Sequence, residues 1–267
     1  MGLQMLQGKR AVVFGAAGSI GSAVAKEFAA QGAQVFLAGR TRSRIEEVAN
    51  HINASGGLVQ SAVVDALDDK AVNEYIDGIV KREGKLDIVF TAVGPSAHDY
   101  GNTKHAIDLT IDEFMLPMVT VVKPQFIASR AGARHMMKQG SGIIIFLTGS
   151  PARGHVQGAT AIGTAFGAIE SLTENLAIEV GASGVRVVCL RTMANVDSRS
   201  IQETADAIVS RAGITREQAL GGIAQLNFLK ASATVADTAR AAVLVASDYA
   251  RMMTGTVVNF TAGAALD

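Results

Sequence analysis

RAVVFGAAGSIG, Arg10 to Gly21, decides the fold. The β-branched, apolar run Arg10 to Phe14 breaks at Gly15, and the apolar residues that follow, Ile20, Val24 and Phe28, recur at helical spacing. A strand that passes through a glycine-rich turn straight into a helix opens a βαβ unit. Gly15, Gly18 and Gly21 permit a tight turn, close backbone approach to a pyrophosphate and close packing of helix on strand. The helix N-terminus then offers free N–H groups to an anion. A tight turn with no ligand is the competing reading, and the strand, turn and helix context argues against it.

Working outward, the strand pattern repeats in AQVFLAG, GLVQSAVV, LDIVFTAV, GIIIFLTG, VRVVCLR and GTVVNFT, mostly with helical segments between, such as Leu172, Leu176 and Ile178 before VRVVCLR. Strands that alternate with helices imply right-handed crossovers and a parallel sheet, and runs apolar throughout suit strands covered on both faces. The expectation is an α/β Rossmann-type fold: one doubly wound, parallel, seven-stranded sheet in a single dinucleotide-binding domain over residues 1–267, with no linker or repeat to divide it. Only about 195–230 departs from the alternation. There polar residues surround short helical pieces, which suits a lid or substrate loop over the carboxyl ends of the strands, or a plain surface insertion.

Composition narrows the function classes. A chain that is 49% hydrophobic and 18% charged can bury a large core. Lys plus Arg and Asp plus Glu both number 24, so no net charge draws the surface to nucleic acid or to an anionic membrane. The one cysteine, Cys189, sits in an apolar run, which excludes an internal disulfide and fits a reducing compartment. MGLQMLQGKR holds no apolar segment of signal-peptide length, and no later run approaches the roughly 20 residues of a membrane span, so a cytoplasmic protein is expected. The five histidines are scattered, without metal-ligand spacing, and no Gly-x-Ser-x-Gly elbow occurs, so neither a metal site nor a serine nucleophile is expected.

The second strand ends in LAGRTR, where an NAD-preferring fold puts an acid for the ribose 2′-hydroxyl. Here Gly39 is followed by Arg40, with Arg42 close behind, and guanidinium groups hold a 2′-phosphate through charge-assisted bonds. NADP(H) is therefore the expected cofactor. The competing reading makes both arginines solvated residues at a helix start.

These features resemble the short-chain dehydrogenase/reductase family over nearly the whole chain. In that family's Thr-Gly-x-x-x-Gly-x-Gly turn, Phe14 replaces the Thr and Ser19 the middle Gly, with Gly18 one place earlier. Asp65 matches its adenine-contacting acid, TAVG (Thr91 to Gly94) stands in place of its Asn-Asn-Ala-Gly, and Thr192 with Met193 replaces its Pro-Gly after the sixth strand. Gly15, Gly18, Ser19, Ile20, Gly21, Arg40, Arg42, Asp65, Gly94 and Thr192 are accordingly expected at the cofactor. The resemblance also implies a homo-oligomer, a tetramer being common, with the helices after the fourth and fifth strands as packing faces.

The same resemblance implies a catalytic Asn, Ser, Tyr and Lys, and these roles fall on unsuitable residues. IESLTENLAIE aligns without gaps on the segment that follows the family's Lys, which puts Phe166 at the Lys and Ile162 at the Tyr. The usual spacings then put Gly149 at the Ser and Val121 at the Asn. No Tyr or Lys occurs between Gly140 and Lys230 to rescue a shifted register. His155, in GSPARGHVQG, is the first alternative proton donor and Tyr100, in GPSAHDYGN, the second; His98, Lys123, Thr148 and Ser150 stand nearby in sequence, and plain loop polarity is the competing reading for each. The chain is thus expected to be an NADP(H)-dependent oxidoreductase with a non-standard site and an unspecified small-molecule substrate. The alternatives are a non-catalytic NADP(H)-binding sensor or partner subunit, or a scaffold that has lost the nucleotide.

Overall fold

The computed structural model describes residues 4–154 and 156–267. Seven strands, β1 (Arg10–Phe14), β2 (Gln34–Gly39), β3 (Leu58–Val63), β4 (Ile88–Thr91), β5 (Gly142–Gly149), β6 (Val185–Thr192) and β7 (Thr256–Phe260), form one sheet in the order β3-β2-β1-β4-β5-β6-β7. Every neighbouring pair is parallel, as the expected crossovers require. Each of the seven runs read as strands becomes one.

Alternation along the strands feeds two apolar layers. Val12 and Phe14 of β1 join Phe36, Val89 and Phe146 on one face, under α3 (Asp69–Glu83), α5 (Lys123–Gln139) and α6 (Thr160–Val180). Ala11 and Val13 join Val35, Leu37 and Phe90 on the other, under α1 (Ser19–Ala30), α2 (Arg42–Ala54) and α9 (Val235–Ala246). Cys189 is a buried free thiol whose pKa burial pushes up to about 12, so it behaves as packing and not as a nucleophile.

Three local expectations need correction. β3 is an edge strand that leaves Leu58 and Val63 exposed, because no strand pairs its outer side. Ile178, grouped above with Leu172 and Leu176, is 82% exposed, since it lies about 200° around α6 from Leu176. The long helix after β4 is also broken. α4 (Ile111–Pro117) passes into a π-turn, Met118–Val122, before α5 begins. Pro124 has no N–H to return to the carbonyl four residues earlier, and the Thr120 hydroxyl donates back to the Leu116 carbonyl at 2.7 Å, both of which loosen the ladder there.

The 195–230 segment is mostly helical. α7 (Arg199–Ala212) starts from a Ser198 cap, and α8 (Arg216–Ala224) starts from a Thr215/Gln218 capping box. An isolated parallel bridge between Asn195 and Ala233 closes the segment at its base.

Candidate functional site

Sheet order reverses between β1 and β4, and the crevice outside the carboxyl ends of the strands at that point is where doubly wound folds bind ligands. A cleft of about 1050 Å³ lies there, bounded by the β1–α1 turn, the ends of β2 to β6, and α7.

The β1–α1 turn is shaped by backbone proximity. Gly15 has φ +76°, and a Cβ at this position would lie under 3.0 Å from the Ala92 carbonyl; a Cβ at Gly21 would collide with the Gly15 carbonyl. Gly18 caps α1 without a side-chain bond to the first-turn amides, which leaves them to a ligand. The cradle therefore fits a pyrophosphate. We expect Gly15→Ala to cost at least about 2 kcal/mol of unfolding free energy in urea denaturation, since strain at positive φ adds to a clash with backbone. A value within about 0.5 kcal/mol of wild type would show that the turn relaxes freely.

Of the residues expected at the cofactor, Gly15, Gly18, Ser19, Ile20, Arg40, Asp65, Gly94 and Thr192 line this cleft. Gly21 does not, and serves the packing of the turn instead. Arg42 points outward and pairs with Glu46 at 3.5 Å. A cation that the sequence reading missed, Arg44, lies along the cleft with Glu47, Val48 and His51. Spacing could have found it, because 44, 47, 48 and 51 form one helical stripe while 42 and 46 share a different one. The Asp65 carboxylate accepts the Leu67 amide at 3.0 Å.

The other end of the cleft is apolar. Val121, on the π-turn, and Ile162, on α6, are buried; Phe166 is half-buried one turn further on; all three line the cleft together with Gly149, the last residue of β5. A Cβ at Gly149 would lie 3.0 Å from the Phe166 ring, so the ring fills the space a side chain at 149 needs. We expect Gly149→Ala to destabilise by roughly 1 kcal/mol, and Phe166→Leu to relieve most of that in the double variant, a coupling that a thermodynamic cycle measures. Additive effects would mean the ring yields without cost.

Polar side chains around this end are largely committed to the protein. The Thr148 hydroxyl contacts Cys189 Sγ at 3.3 Å and Glu170 at 3.4 Å, and the Thr192 hydroxyl donates to the Thr148 carbonyl at 3.1 Å. Glu170 and Arg191 form a buried pair, with Nε donating to Oε1 at 2.7 Å and Nη2 to Oε2 at 2.9 Å. Gln125 exchanges two bonds with the Leu147 backbone, at 3.1 and 3.2 Å. Breaking the Glu170–Arg191 pair by Glu170→Leu is expected to cost up to about 3–5 kcal/mol in chemical denaturation, because it leaves the buried guanidinium with Asp267 at Nη1 as its remaining carboxylate. A change under about 1 kcal/mol would mean that Asp267 alone compensates the guanidinium.

Two hydroxyls stand apart. Ser150 and Tyr100 are each more than nine-tenths buried, line the cleft, and have no hydrogen-bond partner among the described residues. Burial, and secondarily the charge of Glu203, pushes the Tyr100 phenol up to about 12. His98 and Lys123 are exposed and do not border the cleft. His155 lies outside the described residues. Among those residues no group of three metal-ligating side chains forms, and no helix is long and apolar enough to cross a membrane.

A doubly wound parallel sheet with a glycine-rich turn opening onto its switch-point cleft is the architecture of the dinucleotide-binding folds. The chain belongs to the short-chain dehydrogenase/reductase family, whose members use nicotinamide cofactors. The family profile described as enoyl-(acyl carrier protein) reductase matches residues 15–265. A versicolorin reductase from Emericella nidulans is 29% identical over 97% of this chain and 96% of its own. A 7alpha-hydroxysteroid dehydrogenase from Clostridium sardiniense is 26% identical over 99% and 96%. Among solved structures, a 7 alpha-hydroxysteroid dehydrogenase complexed with NADH and 7-oxo glycochenodeoxycholic acid superposes with TM-score 0.81 at 25% identity, covering 97% of this chain and 94% of that one.

Proposed function

We propose that this chain is an NADP(H)-dependent oxidoreductase whose active site lacks the family's Asn, Ser, Tyr and Lys, and that it reduces an activated double bond. The observation that carries the reading is the apolar end of the cleft: Val121, Ile162 and Phe166 stand where a carbonyl reductase needs polar groups, and the Phe166 ring occupies the side-chain space of Gly149. Arg40, aided by Arg44, holds the 2′-phosphate, and the β1–α1 turn holds the pyrophosphate. Arg42, paired outward with Glu46, has at most a long-range part.

NADPH supplies hydride to an electrophilic carbon when bound. The protein's part is to orient the substrate against an apolar wall. Tyr100 offers its phenol to the developing negative charge. With its pKa near 12 it stays protonated at neutral pH and is a better hydrogen-bond donor than acid. A substrate that takes its proton from water, such as an enone or imine, suits that donor better than a simple ketone. The test is a panel of enones, imines and ketones assayed by NADPH oxidation, with any hit repeated in Tyr100→Phe and His155→Ala. A hit untouched by both substitutions removes both as donors and leaves hydride transfer standing. No turnover across the panel alongside tight NADPH binding would favour a non-catalytic binding protein.

In the same reading the 195–230 segment is the lid, the enzyme acts in the cytosol, and the chain assembles as a homotetramer through α4, α5 and α6. Met115 on α4, Val119 on the π-turn and Phe126 on α5 are 44%, 46% and 44% exposed, an apolar face for helix-on-helix packing. Light scattering at micromolar concentration is expected to give four times the chain mass, and a monomer would sink this part.

A further inference from the structure

Tyr100 sits in the connection between β4 and α4, a stretch of turns with no strand or α-helix of its own. Its ring packs among apolar neighbours, and its hydroxyl has no partner among the described residues, so nothing at the phenol itself fixes its place. The loop is fixed on both sides of it instead. Before Tyr100, the Ser96 hydroxyl and the Ala97 amide both donate to Oε2 of Glu203, each at 2.8 Å. After it, the Asn102 amide donates to the Thr204 hydroxyl at 2.7 Å, and the Arg211 guanidinium donates to the Thr103 carbonyl. Glu203, Thr204 and Arg211 fall within about 100° of one another around α7, so one helix face carries these ties, while the far end of the loop is also held by the Thr103 amide donating to the Gly158 carbonyl at 2.8 Å and by Lys104 pairing with Glu113 at 2.5 Å.

We infer that Glu203 is the positioning residue that holds Tyr100 in the cleft, by locking the 95–104 loop onto α7. The inference rests on reading this cleft as the nicotinamide and substrate site. Two donors on Oε2 and a cation beside Oε1, with Arg199 Nε 3.0 Å away, favour the ionised carboxylate. Burial opposes ionisation of Glu203, but the Ala97 amide, the Ser96 hydroxyl and the charges of Arg199 and His98 outweigh it and hold the carboxyl below its ordinary range. The lock is therefore set at neutral pH. α7 also touches the other wall, where the Arg199 amide donates to the Ser19 hydroxyl at 3.1 Å, so the helix that holds Tyr100 also borders the β1–α1 turn.

The chain has no Trp and three Tyr, so phenol ionisation is readable by ultraviolet titration. Wild type, Glu203→Ala and Glu203→Gln are each differenced against the same protein carrying Tyr100→Phe, which isolates Tyr100. In Glu203→Ala the Tyr100 midpoint is expected to fall by about one pH unit or more, because the loop loosens and the negative charge is gone. In Glu203→Gln, whose side-chain carbonyl still accepts from Ser96 and Ala97, the fall is smaller. Should Glu203→Ala fail to fold by circular dichroism, Ser96→Ala removes one donor and leaves α7 intact, with a fall again expected. A midpoint equal to wild type in the tested variant overturns the lock, and so do equal falls in the Ala and Gln variants, which would mean that charge alone acts. NADPH binding, measured in parallel on wild type, tests the underlying reading separately: loss there overturns the cofactor assignment and leaves the titration result standing.

Discussion

NADPH is expected to bind wild-type protein about 10–100-fold more tightly than NADH, with Arg40→Ala removing most of the difference. Charge-assisted hydrogen bonds contribute about 1.5–3 kcal/mol each, and one strong contact to a 2′-phosphate accounts for a ratio of that order. Gly39 takes the place of the acid that would repel the phosphate, Arg40 borders the cleft, and Arg44 follows on the cleft-facing stripe of α2. Arg44→Ala is expected to lower NADPH affinity by a smaller factor, whereas Arg42→Ala is expected to change it by less than about twofold, since an exposed pair with Glu46 is worth little. Titration of both nucleotides by fluorescence against the four proteins decides the matter. Equal affinities in wild type would refute the NADP(H) assignment, and a larger loss from Arg42→Ala than from Arg40→Ala would reverse the roles of the two arginines.

Unactivated ketones and secondary alcohols are expected to turn over at or near the uncatalysed rate. A positioned general acid contributes about 10²–10⁴-fold and a donor to the developing oxyanion about 10²–10³-fold, and in the proposed reading those roles fall on Ile162 and Gly149, which supply neither. The pKa of the Tyr100 phenol is not lowered toward neutrality but shifted the opposite way by burial, to about 12. Enones and imines, which need less help from an acid, should account for any NADPH oxidation seen. In those reactions Tyr100→Phe should lower kcat more than it raises KM, as expected for a bond that strengthens in the transition state. Fast reduction of a simple ketone would show that the pocket has been misread.

The order of strands and helices, the parallel sheet and the tight glycine-rich turn were all legible in the residues, because each rests on a short-range pattern: two-residue or 3.6-residue periodicity and glycines where a Cβ would strike backbone. Residues expected at the cofactor from the β1–α1 turn and the strand ends line the cleft, since strand ends in such a sheet converge on the switch point wherever the helices lie. Side-chain direction on α2 was not read correctly, and Arg42 was grouped with Arg40 where Arg44 is the cleft-lining residue. Tertiary structure alone decided three further features. It set the Phe166 ring against Gly149, seventeen residues away in sequence. It opened the π-turn at Val121, which depends on a proline three residues later. It fastened the Tyr100 loop to α7 through Glu203, 106 residues beyond Ala97. Sequence periodicity reports which face of an element meets the core; contacts between loops and distant helices carry no period, so only the folded chain specifies them.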